Sequence, residues 1–337
     1  MIGRKQFKIF AIVVIIIATF KLADIIPKQD ELHIHSLTLF PPDRRESKQP
    51  LVFLHIGKTG GTSFDDVMSR VAKDLDRKYF GRCHFDWSYI AKNFGLDASV
   101  LTIFRHPVDR SISNFHFSKR CAWTEGMKIR NQTMEEYLND LDSMHGTREI
   151  WMDGQAGVMW LSGLHTGKWV HIPPSEIEER EKRFLETKRV AEQVIERMLN
   201  TTWFGVLDDL DRSMEMLSAT LGRSVQMAKK NSNQHKDENN EVRKKLADLM
   251  PFDLWMYDFA LKVFEARWKH YLGHKDVKVP VPRNLPEMKC TSTKTTFFCK
   301  KAELMGSFIH KRIQNTNINT TNKVRVKHCH YDNMYHE

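Results

Sequence analysis

Two short segments of this 337-residue chain carry the residue types that bind anions. The first is Gly57-Lys-Thr-Gly-Gly-Thr-Ser63, a turn with one lysine ahead of two glycines. Lys58 supplies a full positive charge, Gly60 and Gly61 let the backbone approach an anion closely, and the N–H groups of a helix start would point at it. The second is Arg105-His-Pro-Val-Asp-Arg-Ser-Ile-Ser113. Arg105 offers a fork of charged donors and Ser113 a hydroxyl, a pairing suited to a terminal phosphate monoester. Two such elements in one chain fit a ligand with phosphates at both ends of a nucleoside. An ATP-binding P-loop is disfavoured, because that motif places its lysine after the glycines and needs an earlier glycine, whereas Lys58 precedes Gly60 and Gly61.

Both segments sit where strands should hand over to helices. Residues 51–56 are mostly branched or aromatic without polar alternation, the pattern of a central strand covered on both faces. After the turn Phe64, Val67, Met68, Val71, Ala72 and Leu75 recur at helical spacing, with Thr62 or Ser63 able to cap and Asp65 and Asp66 in the first turn. Residues 100–104 read as a second core strand ending at Arg105, and 202–206 as a third. Helices are expected over 108–118, over 134–141 behind a Thr133/Glu136 capping box, and over 176–199, 207–221, 242–249 and 252–271. The aromatic stripe of the last, Trp255, Phe259, Phe264 and Trp268, reads as core packing. Strands alternating with helices predict an α/β fold with a P-loop-like parallel sheet flanked by helices.

The length suits one catalytic domain with extensions. The apolar stretch 9–26, preceded by Arg4, Lys5 and Lys8, is expected to be an uncleaved signal-anchor helix, with 1–8 cytoplasmic and the rest lumenal. Residues 27–50 read as a stem, 51–275 as the catalytic domain and 276–337 as a basic, cysteine-containing tail. Sequons at Asn131, Asn200 and Asn319 agree with a secretory route. Five cysteines, Cys83, Cys121, Cys290, Cys299 and Cys329, leave at least one free or paired between chains. No spacing implies a metal. The net charge of +10 implies a polyanionic partner, which in a lumen means an acidic polysaccharide rather than nucleic acid. Arg110, Lys119, Arg120, Lys128 and Arg130 are candidates to meet it.

The two anion elements resemble those of the sulfotransferases, whose donor is 3′-phosphoadenosine 5′-phosphosulfate. On that resemblance Lys58, Thr59, Gly60, Gly61, Thr62 and Ser63 bind the 5′-phosphosulfate, and Arg105 with Ser113 the 3′-phosphate. Within that group the chain is most similar to the heparan sulfate 6-O-sulfotransferases, through 53–62, His84-Phe-Asp-Trp-Ser88, 105–110, 203–206 and 254–259. The resemblance implies a Golgi type II membrane glycoprotein that sulfates a sugar hydroxyl, the 6-O of glucosamine in a heparan-like chain. Its alternatives are another glycan acceptor, or a glycan-binding protein without turnover on the same fold. It makes His84 the general base, Lys58 the counter-charge on the leaving oxygens, and Asp86 and Trp87 the contacts to acceptor, with Asp86 alternatively orienting His84. His55, in the strand, reads as a core or supporting residue.

Overall fold

A computed structural model describes residues 48–81, 84–95, 98–120, 128–140, 156–164, 186–227 and 239–274, with single positions 176, 179, 180, 183, 277, 279 and 285. The expected anchor, almost all of the stem and tail, all five cysteines and Asn319 lie outside them. Among the described residues no helix is long and apolar enough to cross a membrane.

The core is a small parallel sheet flanked by helices. Strand β1 (Leu51–Leu54) is fully buried and pairs with β2 (Tyr79–Phe80) on one side and β3 (Ser99–Phe104) on the other. Strand β4 (Trp203–Val206) pairs with β3, so the order is β2-β1-β3-β4 with every pair parallel. Successive connections leave β1 toward β2 and then cross back to β3. The carboxyl ends of β1 and β3 therefore form a switch point, the place where an open α/β sheet leaves a crevice for a ligand.

Helix α1 (Gly61–Asp74) follows β1 and buries Phe64, Met68, Val71 and Ala72, the expected face. Phe64 stacks on Trp203 of β4 at 5.4 Å between ring centroids. Helix α2 (Trp87–Phe94) leads into β3, and α3 (Pro107–Arg120) leaves it. Beyond come α4 (Met134–Asp140), α5 (Ala156–Ser162), α6 (Thr187–Asn200), α7 (Leu210–Leu221), α8 (Asn240–Leu249) and α9 (Pro251–Tyr271). A smaller cluster, Val108, Ile112 and Phe115 of α3 against Met134 and Tyr137 of α4 and Val242 and Leu246 of α8, packs beside the sheet core.

Local signals predicted much of this. The capping box is formed, with Thr133 N–H donating to Glu136 Oε2 at 2.7 Å and Glu136 N–H to Thr133 Oγ1 at 3.1 Å. Three expectations change. Helix α1 is not capped by Thr62 or Ser63: it starts earlier, its cap is Gly60 at φ 89°, and no side chain accepts there. The single helix over 176–199 is interrupted, because Glu186 takes ψ 63° and α6 starts only at Thr187. The helix over 207–221 begins with a separate 3₁₀ turn at Leu207–Asp209.

Candidate active site

The carboxyl ends of β1, β2 and β3 bring the predicted residues together. From β1 come His55 and the Lys58 loop, from beyond β2 comes His84, and from β3 comes Arg105. Arg105 Nη1 donates to the backbone carbonyl of Lys58 at 3.2 Å. The two anion elements, 47 residues apart in sequence, are thus in direct contact.

The loop itself is shaped by backbone conformation. Lys58 has φ 67°, left-handed space that a residue with a Cβ rarely takes, at a cost of roughly 1 kcal/mol. Thr59 is buried and its hydroxyl donates to the Ile56 carbonyl at 2.7 Å, closing the turn from inside. Gly60 supplies the second left-handed step. Gly61 serves another purpose than open approach to a ligand: a Cβ there would overlap the His55 imidazole, so the missing side chain lets α1 start directly against that ring. Thr62 is exposed and Ser63 half-buried on the first turn of α1. With no side-chain acceptor at its cap, α1 presents its first N–H groups beside Lys58, a polarised end that attracts an anion.

Arg105 is half-buried at the end of β3. Burial pulls its guanidinium below the ordinary value, and the carboxylates of Asp109 and Asp208 push it back. Ser113 lies half-buried on α3. One helical turn further, on the same side, Phe117 carries the Lys58 ammonium over its ring, 3.9 Å from the centroid.

His84 and His55 form a stacked pair, their centroids 4.3 Å apart and their planes 28° from parallel. Phe53 continues the stack behind His55 at 5.1 Å, and Trp160 of α5 tilts against His84 at 5.8 Å. His84 Nδ1 lies 2.9 Å from the His55 carbonyl, which can only accept. The proton of a neutral His84 therefore sits on Nδ1, and Nε2 is left with its lone pair, the form a general base requires. Burial pulls the His84 pKa down to about 4, against the small upward effect of that hydrogen bond. His55 is lowered well below its ordinary value by burial, then by the His84 and Lys58 charges. Both rings are neutral near pH 7.

Asp86 and Trp87 occupy different surroundings. Asp86 is 0 % exposed and engages both oxygens inside the protein: Oδ1 accepts from Tyr89 N–H at 2.8 Å and caps α2, and Oδ2 accepts from Arg180 Nη1 at 2.6 Å. Burial raises its pKa, and Arg180 opposes that. Trp87 is buried in the sheet core with the Arg197 guanidinium over its ring at 5.8 Å. Arg110 is internal too, at 3 % exposure and 3.9 Å from the Asp253 carboxylate, which itself accepts from the Gly157 and Val158 N–H groups of α5. Lys119 donates to the Gln132 carbonyl at 2.8 Å. Arg120 is exposed.

No family model and no curated protein matches the chain.

Phe117 and Trp160 escaped the sequence reading. Phe117 was within reach, since a residue four positions after Ser113 shares its helix face. Trp160 comes from a segment far along the chain with no local motif. Among the described residues no group of three or more histidine, cysteine, aspartate or glutamate side chains is arranged to hold a metal.

Proposed function

We propose that this chain is a sulfotransferase of the sulfotransferase fold that moves a sulfuryl group from 3′-phosphoadenosine 5′-phosphosulfate to a sugar hydroxyl, the 6-O of glucosamine in a heparan-like chain. It works as a Golgi single-pass type II membrane protein with its catalytic domain in the lumen. The observation that carries the reading is the hydrogen bond from Arg105 to the Lys58 carbonyl, which joins the two anion elements that follow β1 and β3 at the switch point. The residues fit a doubly phosphorylated nucleotide. The uncapped α1 start and Lys58 suit one charged end, and Arg105 with Ser113 the other.

The donor supplies the sulfuryl group and a leaving phosphate. Lys58 and the N–H groups of α1 balance the negative charge that grows on the departing oxygens. Arg105 and Ser113 hold the far phosphate and so set the line of approach. Thr59 keeps the loop closed from below. His84 accepts the acceptor hydroxyl's proton at Nε2, its tautomer held by the His55 carbonyl. Asp86 acts at a distance, by capping the helix that follows His84. The net charge of +10 draws in an acidic polysaccharide.

The test is transfer of radiolabelled sulfate by the lumenal portion to a panel of desulfated glycans, with the labelled hydroxyl mapped. Lys58→Ala and His84→Ala should each lower the rate by about 10²- to 10³-fold while polysaccharide binding persists. Polysaccharide binding without transfer by the wild type would make the protein a glycan-binding module. ATP turnover with no binding of the phosphosulfate donor would refute the reading.

A further inference from the structure

Lys58 is held at root and tip by separate groups. Its backbone sits at φ 67°, its carbonyl accepts from Arg105 at 3.2 Å, and its ammonium lies 3.9 Å over the Phe117 ring. Both holding groups belong to the second anion element and the helix it opens, α3. A lysine stem is long and flexible, so a fixed root alone leaves the charge free to wander.

We propose that Phe117 is a positioning residue that holds the Lys58 ammonium at the anion site. An aromatic face attracts a cation without cancelling its charge, as a carboxylate would. Phe117 also stands one turn from Ser113, so the helix that offers the serine to one end of a ligand fixes the lysine for the other. Charge on the leaving oxygens grows only as the bond to sulfur breaks. A tip already in place stabilises that charge with no reorganisation at the moment of reaction, so its loss is felt in kcat more than in donor binding. This inference rests on Lys58 acting as the counter-charge.

Phe117→Leu keeps apolar bulk and removes the π face, and Phe117→Tyr keeps the face. Phe117→Leu is expected to lower kcat about tenfold, with donor KM within about twofold and the melting temperature within about 2 °C of wild type. Phe117→Tyr should restore kcat to within about twofold of wild type. A purely packing role would give the opposite: an unchanged kcat in Phe117→Leu, or losses of kcat and melting temperature together that tyrosine does not reverse. Either result overturns the proposal. Titration with adenosine 3′,5′-bisphosphate separates the two levels. If wild type binds it, Lys58→Ala weakens that binding and Phe117→Leu leaves kcat intact, only the role of Phe117 falls. If wild type does not bind it, both readings fall.

Discussion

Helices α1 and α2 both begin just beyond a sheet strand, yet their first turns are finished in opposite ways. At α2 a buried carboxylate, Asp86, accepts from the Tyr89 N–H and is itself paired with Arg180. At α1 the cap is Gly60, no side chain accepts, and a lysine in a strained conformation stands alongside. The first arrangement is closed and serves stability. The second leaves the start of α1 without a side-chain acceptor, at the switch point of the sheet.

The largest expected effect breaks the closed end. Asp86→Ala removes a cap and takes from the buried Arg180 its buried carboxylate partner, leaving Glu176 on the other side of the guanidinium, so stability should fall by about 3 kcal/mol in denaturant unfolding. Asp86→Asn keeps the cap and should lose less. At the open end Gly61→Ala drives a methyl into His55, and about 2 kcal/mol of lost stability should come with lost nucleotide binding, read by melting temperature and by titration.

The histidine pair gives a smaller effect that depends on pH. An unfolded His84 takes its proton near pH 6.5, whereas the folded residue resists until about pH 4. Between those values the unfolded chain binds more protons, so the stability that His84 contributes is complete above about pH 6.5 and is lost as the pH falls toward 4. The slope is at most about 1.4 kcal/mol per pH unit. His55, lowered in the same sense, adds to it. Melting temperature followed against pH should show a shallower acid slope in His84→Asn.

The smallest effect sharpens the contrast. Lys58→Gly relieves the left-handed backbone but frees the unfolded chain, and these offset, so stability should stay within about 1 kcal/mol of wild type. Donor binding should nevertheless be lost. A large fall in stability there would mean that the open end is as structural as the closed one.

Much of the scaffold was legible, because its signals are local. The strands at 51–56, 100–104 and 202–206 were found within two residues at either end, since four to six consecutive buried residues, most of them apolar, are hard to place elsewhere. The Thr133/Glu136 cap needs only residues three apart. Strand β2 was missed, being two residues long and too short for any period. Helices α2 and α5 were missed as well; each is eight residues or fewer, with little periodicity to count. The start of α1 was not legible, because Thr62 and Ser63 are ordinary capping types whereas Gly60 turns the chain by its conformation, not by a side chain. The pairing of Asp86 with Arg180 was not legible, because nothing nearby in sequence announces a partner 94 residues away.

The amino-acid sequence by itself determined the strand and helix types, the lysine-glycine turn and the Arg105/Ser113 spacing, since each depends on neighbours within a few positions. Tertiary structure alone decided that Arg105 reaches the Lys58 carbonyl, that His84 rests on His55, and that Asp86 is sealed against Arg180. The reason is geometric. Those partners lie 29 to 94 residues apart, and only the strand order and the packing of helices around the sheet determine which loops share an edge.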